Sequence, residues 1–210
     1  MKSSLFIKGL KLSKLYFRFS SMNAGKSTAL VQIAYNYEER DQSVVVAKPS
    51  VDTKDDAVLS RLGARRAVDI HVTPDFELFK EFQNLLSERR QEGKNIDCLL
   101  VDEAQFLSTQ QVNELFNIAV ILDIPVIAYG IRNDFQTQAF EGSARLLAIA
   151  HSLEELKTIC RCGRKAIFNG RKVDGKFIRE GSQVAIDDGT SVEYESLCGK
   201  CYIRDVGPVK

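Results

Sequence analysis

Residues 14–20 (KLYFRFS) are rich in aromatic residues and read as a strand. Residues 21–26 are a turn of small residues. Leu30, Ile33, Ala34 and Tyr37 then recur at helical spacing, and Glu38, Glu39 and Arg40 close a polar end. This strand–turn–helix order constrains the chain more than any other feature, because of what the turn contains. Ser20, Ser21, Met22, Asn23, Ala24, Gly25, Lys26 and Ser27 fit the spacing G-x-x-x-x-G-K-[S/T], except that Ser20 stands where the first glycine is expected. Small residues let backbone N–H groups converge on a phosphate. The helix that follows adds its N-terminal dipole. In such a loop Lys26 reaches the β- and γ-phosphates of a nucleoside triphosphate such as ATP, and Ser27 ligates Mg²⁺.

The rest of the first three-quarters of the chain repeats the pattern of strand and helix. Residues 43–47 (SVVVA), 96–101 (IDCLLV) and 125–129 (PVIAY) are β-branched or apolar runs suited to buried parallel strands. Leu78, Phe82, Leu85 and Leu86 mark one amphipathic helix, and Thr73-Pro74-Asp75 predicts its start, with proline in the first turn. Val112, Leu115, Phe116 and Ala119 mark another, opened by a capping box between Ser108 and Gln111. Residues 52–63 are polar and without period, which predicts a loop. Alternation of this kind implies an α/β fold on a parallel sheet with right-handed crossovers. After Leu156 the character changes to cysteines, glycines and basic residues. Three parts follow: an extension over 1–13, a nucleotide-binding domain over 14–156, and a small C-terminal domain over 157–210.

Net charge excludes some partners. Lys plus Arg number 29 against 28 Asp plus Glu, so no global field favours a nucleic acid or a membrane surface. No apolar run has the length of a membrane span. The opening residues lack an uninterrupted secretory core, so the chain is expected to be cytoplasmic.

Two further constellations carry chemistry. The apolar run 99–101 ends in Asp102 and Glu103. An acid at that place in a P-loop fold holds Mg²⁺, here Asp102. Glu103 then stands beside the γ-phosphate, able to take a proton from an attacking hydroxyl. Near the C-terminus, Cys160-Arg-Cys162 and Cys198-Gly-Lys-Cys201 supply two close thiol pairs, a ligand set for tetrahedral Zn²⁺. Such a site pins both ends of the segment carrying Lys165, Arg171, Lys172 and Lys176, which predicts a basic lid over the phosphates. Cys98 lies inside an apolar strand, where packing is its expected role.

Taken together, 20–30 (SSMNAGKSTAL), 101–106 (VDEAQF), 129–135 (YGIRNDF), 156–166 (LKTICRCGRKA) and 196–202 (SLCGKCY) resemble the zinc-containing thymidine kinases of bacteria and animal cytosol. The resemblance implies a RecA-like domain with a zinc-anchored lasso over the nucleoside. It implies that Glu103 deprotonates the 5′-hydroxyl of thymidine, and that nucleotide contacts extend to Ala104 and Gln105. It implies nucleoside contacts from Met22, Asp52, Phe106, Ile131, Phe135, Phe140, Gln183, Ala185 and Tyr194. Lys54 stands where many members have arginine, and the stretch from Ile186 to Tyr194 is longer than the family pattern. The resemblance also implies a homotetramer and feedback inhibition by thymidine triphosphate.

Three functions remain open on the residues alone. A kinase uses Glu103 on a nucleoside hydroxyl. An ATP-driven motor can carry a similar Asp-Glu-Ala-Gln segment, but the chain is short for two such domains and has no basic excess. A zinc-ribbon binding module on an inert P-loop has no use for Lys26, Ser27, Asp102 and Glu103 together.

Overall fold

The computed structural model describes residues 12–50, 57–60, 62–183 and 191–209. In chain order it contains β1 (Leu15–Ser20), α1 (Lys26–Glu38), β2 (Val44–Pro49), β3 (Ala57–Leu59), β4 (Arg65–Ala67), β5 (Ile70–Val72) and α2 (Leu78–Gln91). Next come β6 (Cys98–Val101), a 3-10 turn (Ala104–Phe106), α3 (Thr109–Ile121), β7 (Val126–Ile131), α4 (Glu141–Ile149) and β8 (Ser152–Glu155). The C-terminal part holds β9 (Thr158–Ile159), β10 (Lys165–Ala166), β11 (Phe168–Val173), β12 (Lys176–Ile178), β13 (Val192–Leu197) and α5 (Gly199–Asp205).

The central sheet runs β5-β2-β6-β7-β1-β8, and every pairing in it is parallel. Alternate residues of the inner strands feed opposite faces, as pleating requires. Phe17, Val45, Leu99, Val101, Val126 and Ala128 pack toward Phe82 of α2, Leu115 of α3 and Leu146 of α4. Val44, Val46, Leu100, Ile127 and Tyr129 pack toward Leu30 and Ala34 of α1. Both faces are therefore covered, which is why β2, β6 and β7 are buried along their whole length. Among the described residues no helix is long and apolar enough to cross a membrane.

Several expectations need correction. The segment 52–63 is not loop throughout, because β3 pairs antiparallel with β4. Two short strands, β5 and β8, extend the parallel sheet at its edges. The second helix does not begin at Pro74 but at Leu78. The reason lies on α3: the Gln111 side-chain amide donates to the carbonyl oxygens of Thr73, Pro74 and Phe76 at 2.9, 3.3 and 3.4 Å. The Thr73 carbonyl also accepts the Phe76 N–H at 3.1 Å, so this stretch is a turn held against α3 ahead of the helix. The Phe79 N–H donates to Glu114 Oε2 at 3.1 Å, so α3 supplies the helix start with an acceptor as well. Gln111 also completes the expected capping box with Ser108.

One close approach fixes the turn after β6. At Gly142, a Cβ would stand 2.7 Å from the Leu107 carbonyl oxygen and closer still to that of Ala104. Only glycine lets α4 lie against this turn, and the turn carries the residues considered next.

Candidate active site

The phosphate loop leaves β1 at Ser20, which is still in register with Ile131 of β7. Ser20 is not among the residues with positive φ, so the backbone here needs no glycine. Its Oγ donates to the Ser21 carbonyl at 2.6 Å and accepts from Lys26 Nζ at 3.3 Å. The turn itself is made by Asn23 at φ 61° and Gly25 at φ 78°. Gly25 caps α1 without a side-chain bond, and the first N–H groups of a helix have no partner within it. This is the arrangement that takes an anion. The Met22 N–H is already engaged, donating to Asn169 Oδ1 at 2.7 Å.

Asp102 follows β6 and is 4% exposed. Its Oδ1 is buried with no hydrogen-bond partner among the described residues. Burial, and then the neighbouring Glu103, push this carboxyl up to about 7, against the pull of Lys26 and Lys48. A buried carboxylate with an unused oxygen beside a phosphate loop fits a hard cation such as Mg²⁺. Lys48, 6% exposed at the end of β2, was not singled out from sequence. Only its position after a buried strand would have signalled it.

Glu103 adopts φ 49°, ψ 37°, a left-handed conformation unusual for a residue with a side chain. It starts the turn Ala104–Phe106. Gln105, 2% exposed, holds it. The Gln105 Oε1 accepts the Ile131 N–H at 3.1 Å, which leaves its Nε2 to donate to Glu103 Oε2. Gly130 leaves room for this amide, since a Cβ there would sit 2.9 Å from Gln105 Oε1.

The aromatic residues gather beyond this turn. Phe106 meets Phe140 edge to face at 5.5 Å. Phe135 is buried, its carbonyl accepts from Tyr202 Oη at 2.6 Å, and the Arg171 guanidinium stacks on its ring at 3.8 Å. Arg171 also donates to the carbonyls of Ser182 and Gln183 and to Tyr194 Oη, each at 2.8–2.9 Å. The Gln183 side chain donates to Asp134 Oδ2 at 3.2 Å. Phe135, Gln183 and Tyr194 are thus tied together through Arg171, Met22 and Ile131 bond other partners, and Asp52, Lys54, Ala185 and Ile186 lie outside the described residues.

The predicted basic lid is corrected by these contacts. Arg171 is 4% exposed and spent on carbonyls and rings. Lys172 pairs with Glu195 at 2.7 Å, and Lys165 pairs with Glu155. The segment is a three-stranded sheet, β12-β11-β13, rather than a basic loop.

Four of the five cysteines converge. The Sγ atoms of Cys160, Cys162, Cys198 and Cys201 all lie within 4.8 Å of one another. Cys162 Sγ is 3.7 Å from Cys160 and 3.5 Å from Cys198. A tetrahedral zinc with bonds of about 2.3 Å places its sulfurs roughly 3.8 Å apart, so the cluster fits that ion. The Arg164 N–H, then Cys198, hold the Cys162 thiol down to about 6, whereas its bonding to Cys162 raises Cys201 to about 12. Four thiolates cannot share this space without a cation. The surrounding apolar cluster is small, so a cross-link here adds stability that its core lacks. Cys98 is buried away from the cluster, and burial pushes its thiol up to about 12, as befits a packing residue.

A phosphate loop on β1, an acid pair after β6 and an intervening β7 define an α/β P-loop nucleotide-binding protein. A family model described as thymidine kinase matches residues 13–202. The chain is 46% identical over 203 residues to the thymidine kinase of Haemophilus influenzae strain 86-028NP, covering 94% of this chain and 100% of that one. It is 44% identical over 192 residues to the thymidine kinase of Enterobacteria phage T4, covering 90% and 95%. It is 47% identical over 192 residues to that of Colwellia psychrerythraea strain 34H, covering 89% and 95%. This chain belongs to the thymidine kinase family. A Pif1 helicase from Candida albicans overlaps with a TM-score of 0.40 at 21% identity, across 71% of this chain and 37% of that one, too partial to bear on function. The motor and inert-module readings give way to family membership.

Two outcomes are expected. Because Asp102 is raised from its ordinary range, its ionised form costs folding stability above about pH 7, and that cost fades as pH falls toward the unfolded value. Asp102→Asn is expected to raise the Tm of the nucleotide-free protein at pH 8, by a margin that shrinks at pH 5.5. A margin that grows on acidification would contradict this. Metal analysis should give one zinc per chain, and Cys162→Ser should lose it along with several degrees of Tm; an unchanged zinc content would remove Cys162 from the site.

Proposed function

We propose that this protein is a cytoplasmic thymidine kinase that transfers the γ-phosphate of ATP to the 5′-hydroxyl of thymidine, giving dTMP and ADP. The observation that carries the mechanism is the Gln105 bridge. It fixes Glu103 immediately after Asp102, whose carboxyl feels the Lys26 charge of the phosphate loop.

The loop amides of 24–27 and Lys26 grip the ATP phosphates. Ser27 and Asp102 would hold magnesium, which would supply positive charge against the developing charge of the transferred phosphoryl group. Glu103 accepts the proton of the thymidine 5′-hydroxyl as that oxygen bonds to the γ-phosphorus. The bond to the bridging oxygen breaks, and ADP leaves with the electron pair. Little covalent work falls to the protein, so positioning and electrostatics dominate.

Met22, Phe106, Ile131, Phe135 and Phe140 wall the nucleoside, with Gln183 and Tyr194 on the lid side, completed by Asp52 and Ala185. Phe106 and Phe140 present an edge-to-face pair suited to a flat base and sugar. The lid excludes water, which otherwise competes as the acceptor. Zinc, when bound, cross-links the lid through Cys160, Cys162, Cys198 and Cys201. Homotetramer assembly and feedback inhibition by thymidine triphosphate are further parts of this reading, carried only by the resemblance in the sequence.

Replacing the carboxylate isolates the proton step. Glu103→Gln is expected to bind ATP·Mg²⁺ like the native protein and to lose about 10²–10⁴-fold in kcat for thymidine. Near-native kcat in that variant would remove Glu103 from proton transfer.

A further inference from the structure

The Met22 peptide is held on both sides by the C-terminal sheet. Its N–H donates to Asn169 Oδ1 at 2.7 Å. Its carbonyl accepts from Ser196 Oγ at 2.5 Å. Asn169 lies on β11 and Ser196 on β13, and the two residues face each other directly in the β11–β13 ladder. One cross-strand pair therefore grips donor and acceptor of a single phosphate-loop residue. Asn169 is 1% exposed and uses its other end too, donating from Nδ2 to the Asn133 carbonyl at 2.8 Å. Its amide orientation is fixed by both partners.

The same ladder carries the lid contacts. Two positions along, on the same face of each strand, Arg171 stands opposite Tyr194. Arg171, whose Nε donates to Tyr194 Oη, binds the carbonyls of Ser182 and Gln183. At the other end β13 runs into Cys198 of the thiol cluster. Two strands thus link the lid, the metal-ligating end and the phosphate loop as one short body. Both backbone polar groups of Met22 are bonded to this pair of strands.

We infer that Asn169 and Ser196 are positioning residues for the phosphate loop, and that through them thymidine at the lid tightens nucleotide binding at the loop. A nucleoside seated against Gln183 and Tyr194 bears on β11 and β13 through Arg171. The strands then hold Met22, and the Asn23–Gly25 turn that follows it, in the anion-binding shape. Coupling of this kind is reciprocal, so nucleotide also tightens thymidine. Met22 contributes to the nucleoside wall by its side chain and to the coupling by its peptide, and its N–H is not among the phosphate donors. This inference rests on the phosphate loop and lid having the roles proposed above.

The test is a binding cycle on the full chain with zinc present. Affinity for Mg²⁺ and the non-hydrolysable β,γ-imido analogue of ATP is measured with and without saturating thymidine. The ratio of the two dissociation constants gives the coupling. In the native protein thymidine is expected to tighten analogue binding. In Ser196→Ala that ratio should fall by about three- to tenfold, the equivalent of one hydrogen bond. Ser196→Thr, which keeps the hydroxyl, should restore it. Asn169→Leu should behave as Ser196→Ala does. A merely structural role lowers Tm without moving the ratio or responding to the threonine rescue. A native ratio of one, or a ratio unchanged in folded Ser196→Ala, overturns the inference. No analogue binding by the native protein would instead overturn the phosphate-loop assignment itself.

Discussion

A carboxylate buried at the end of an apolar strand has to be answered by positive charge, and Asp102 sets that demand for the whole site. Its unused oxygen and its elevated proton affinity both express the cost of leaving it without a cation. Lys26 from the phosphate loop and Lys48 from β2 meet part of the cost. The fold supplies these three groups from adjacent places because β1 and β6 both flank β7, and β2 lies on the other side of β6. The parallel sheet matters here chiefly as a device for ending several buried strands at one edge. Loops at that edge can then converge without bringing more buried charge into the core.

The second carboxylate is treated differently. Glu103 is held by a side-chain amide that is itself fixed to the β7 backbone, in a conformation that few residues with a side chain adopt. Strain of that kind persists only when the surroundings over-determine it. The close approach of α4 at Gly142 and the bond from Ser143 Oγ to the Ile131 carbonyl at 2.6 Å provide that restraint. The environments of the two neighbouring acids differ in the way the proposed division of metal binding and proton transfer needs: Asp102 is buried with an open oxygen, and Glu103 is aimed by the Gln105 amide.

Much of this was legible in the sequence, and for identifiable reasons. The strands β1, β2, β6 and β7 announce themselves as aromatic or β-branched runs because both faces of the sheet are covered. The capping box at Ser108 and the two cysteine pairs are local patterns that tertiary contacts do not disturb. The short strands were not legible, since β4 (RRA) and β8 (SLEE) are polar and the edge strand β5 (IHV) has only three residues. The start of α2 was misplaced because Gln111, on another helix, captures the carbonyls after Thr73. Arg171 looked like a phosphate-facing cation, but stacking on Phe135 and bonding to two lid carbonyls decide its place. Asn169 and Ser196 reach Met22 across most of the chain, a contact that no periodicity or spacing marks. Local chemistry was readable, whereas side chains whose partners are distant in sequence were not.

The central claim is that this chain uses ATP to phosphorylate thymidine. It is tested most directly by incubating the purified protein with ATP·Mg²⁺ and a panel of ribo- and deoxyribonucleosides, and measuring nucleoside monophosphate and ADP together. The account predicts dTMP and ADP in equal amounts from thymidine, with little ADP when no nucleoside is present. ADP released without any monophosphate, or phosphate delivered only to nucleosides other than thymidine, would contradict it.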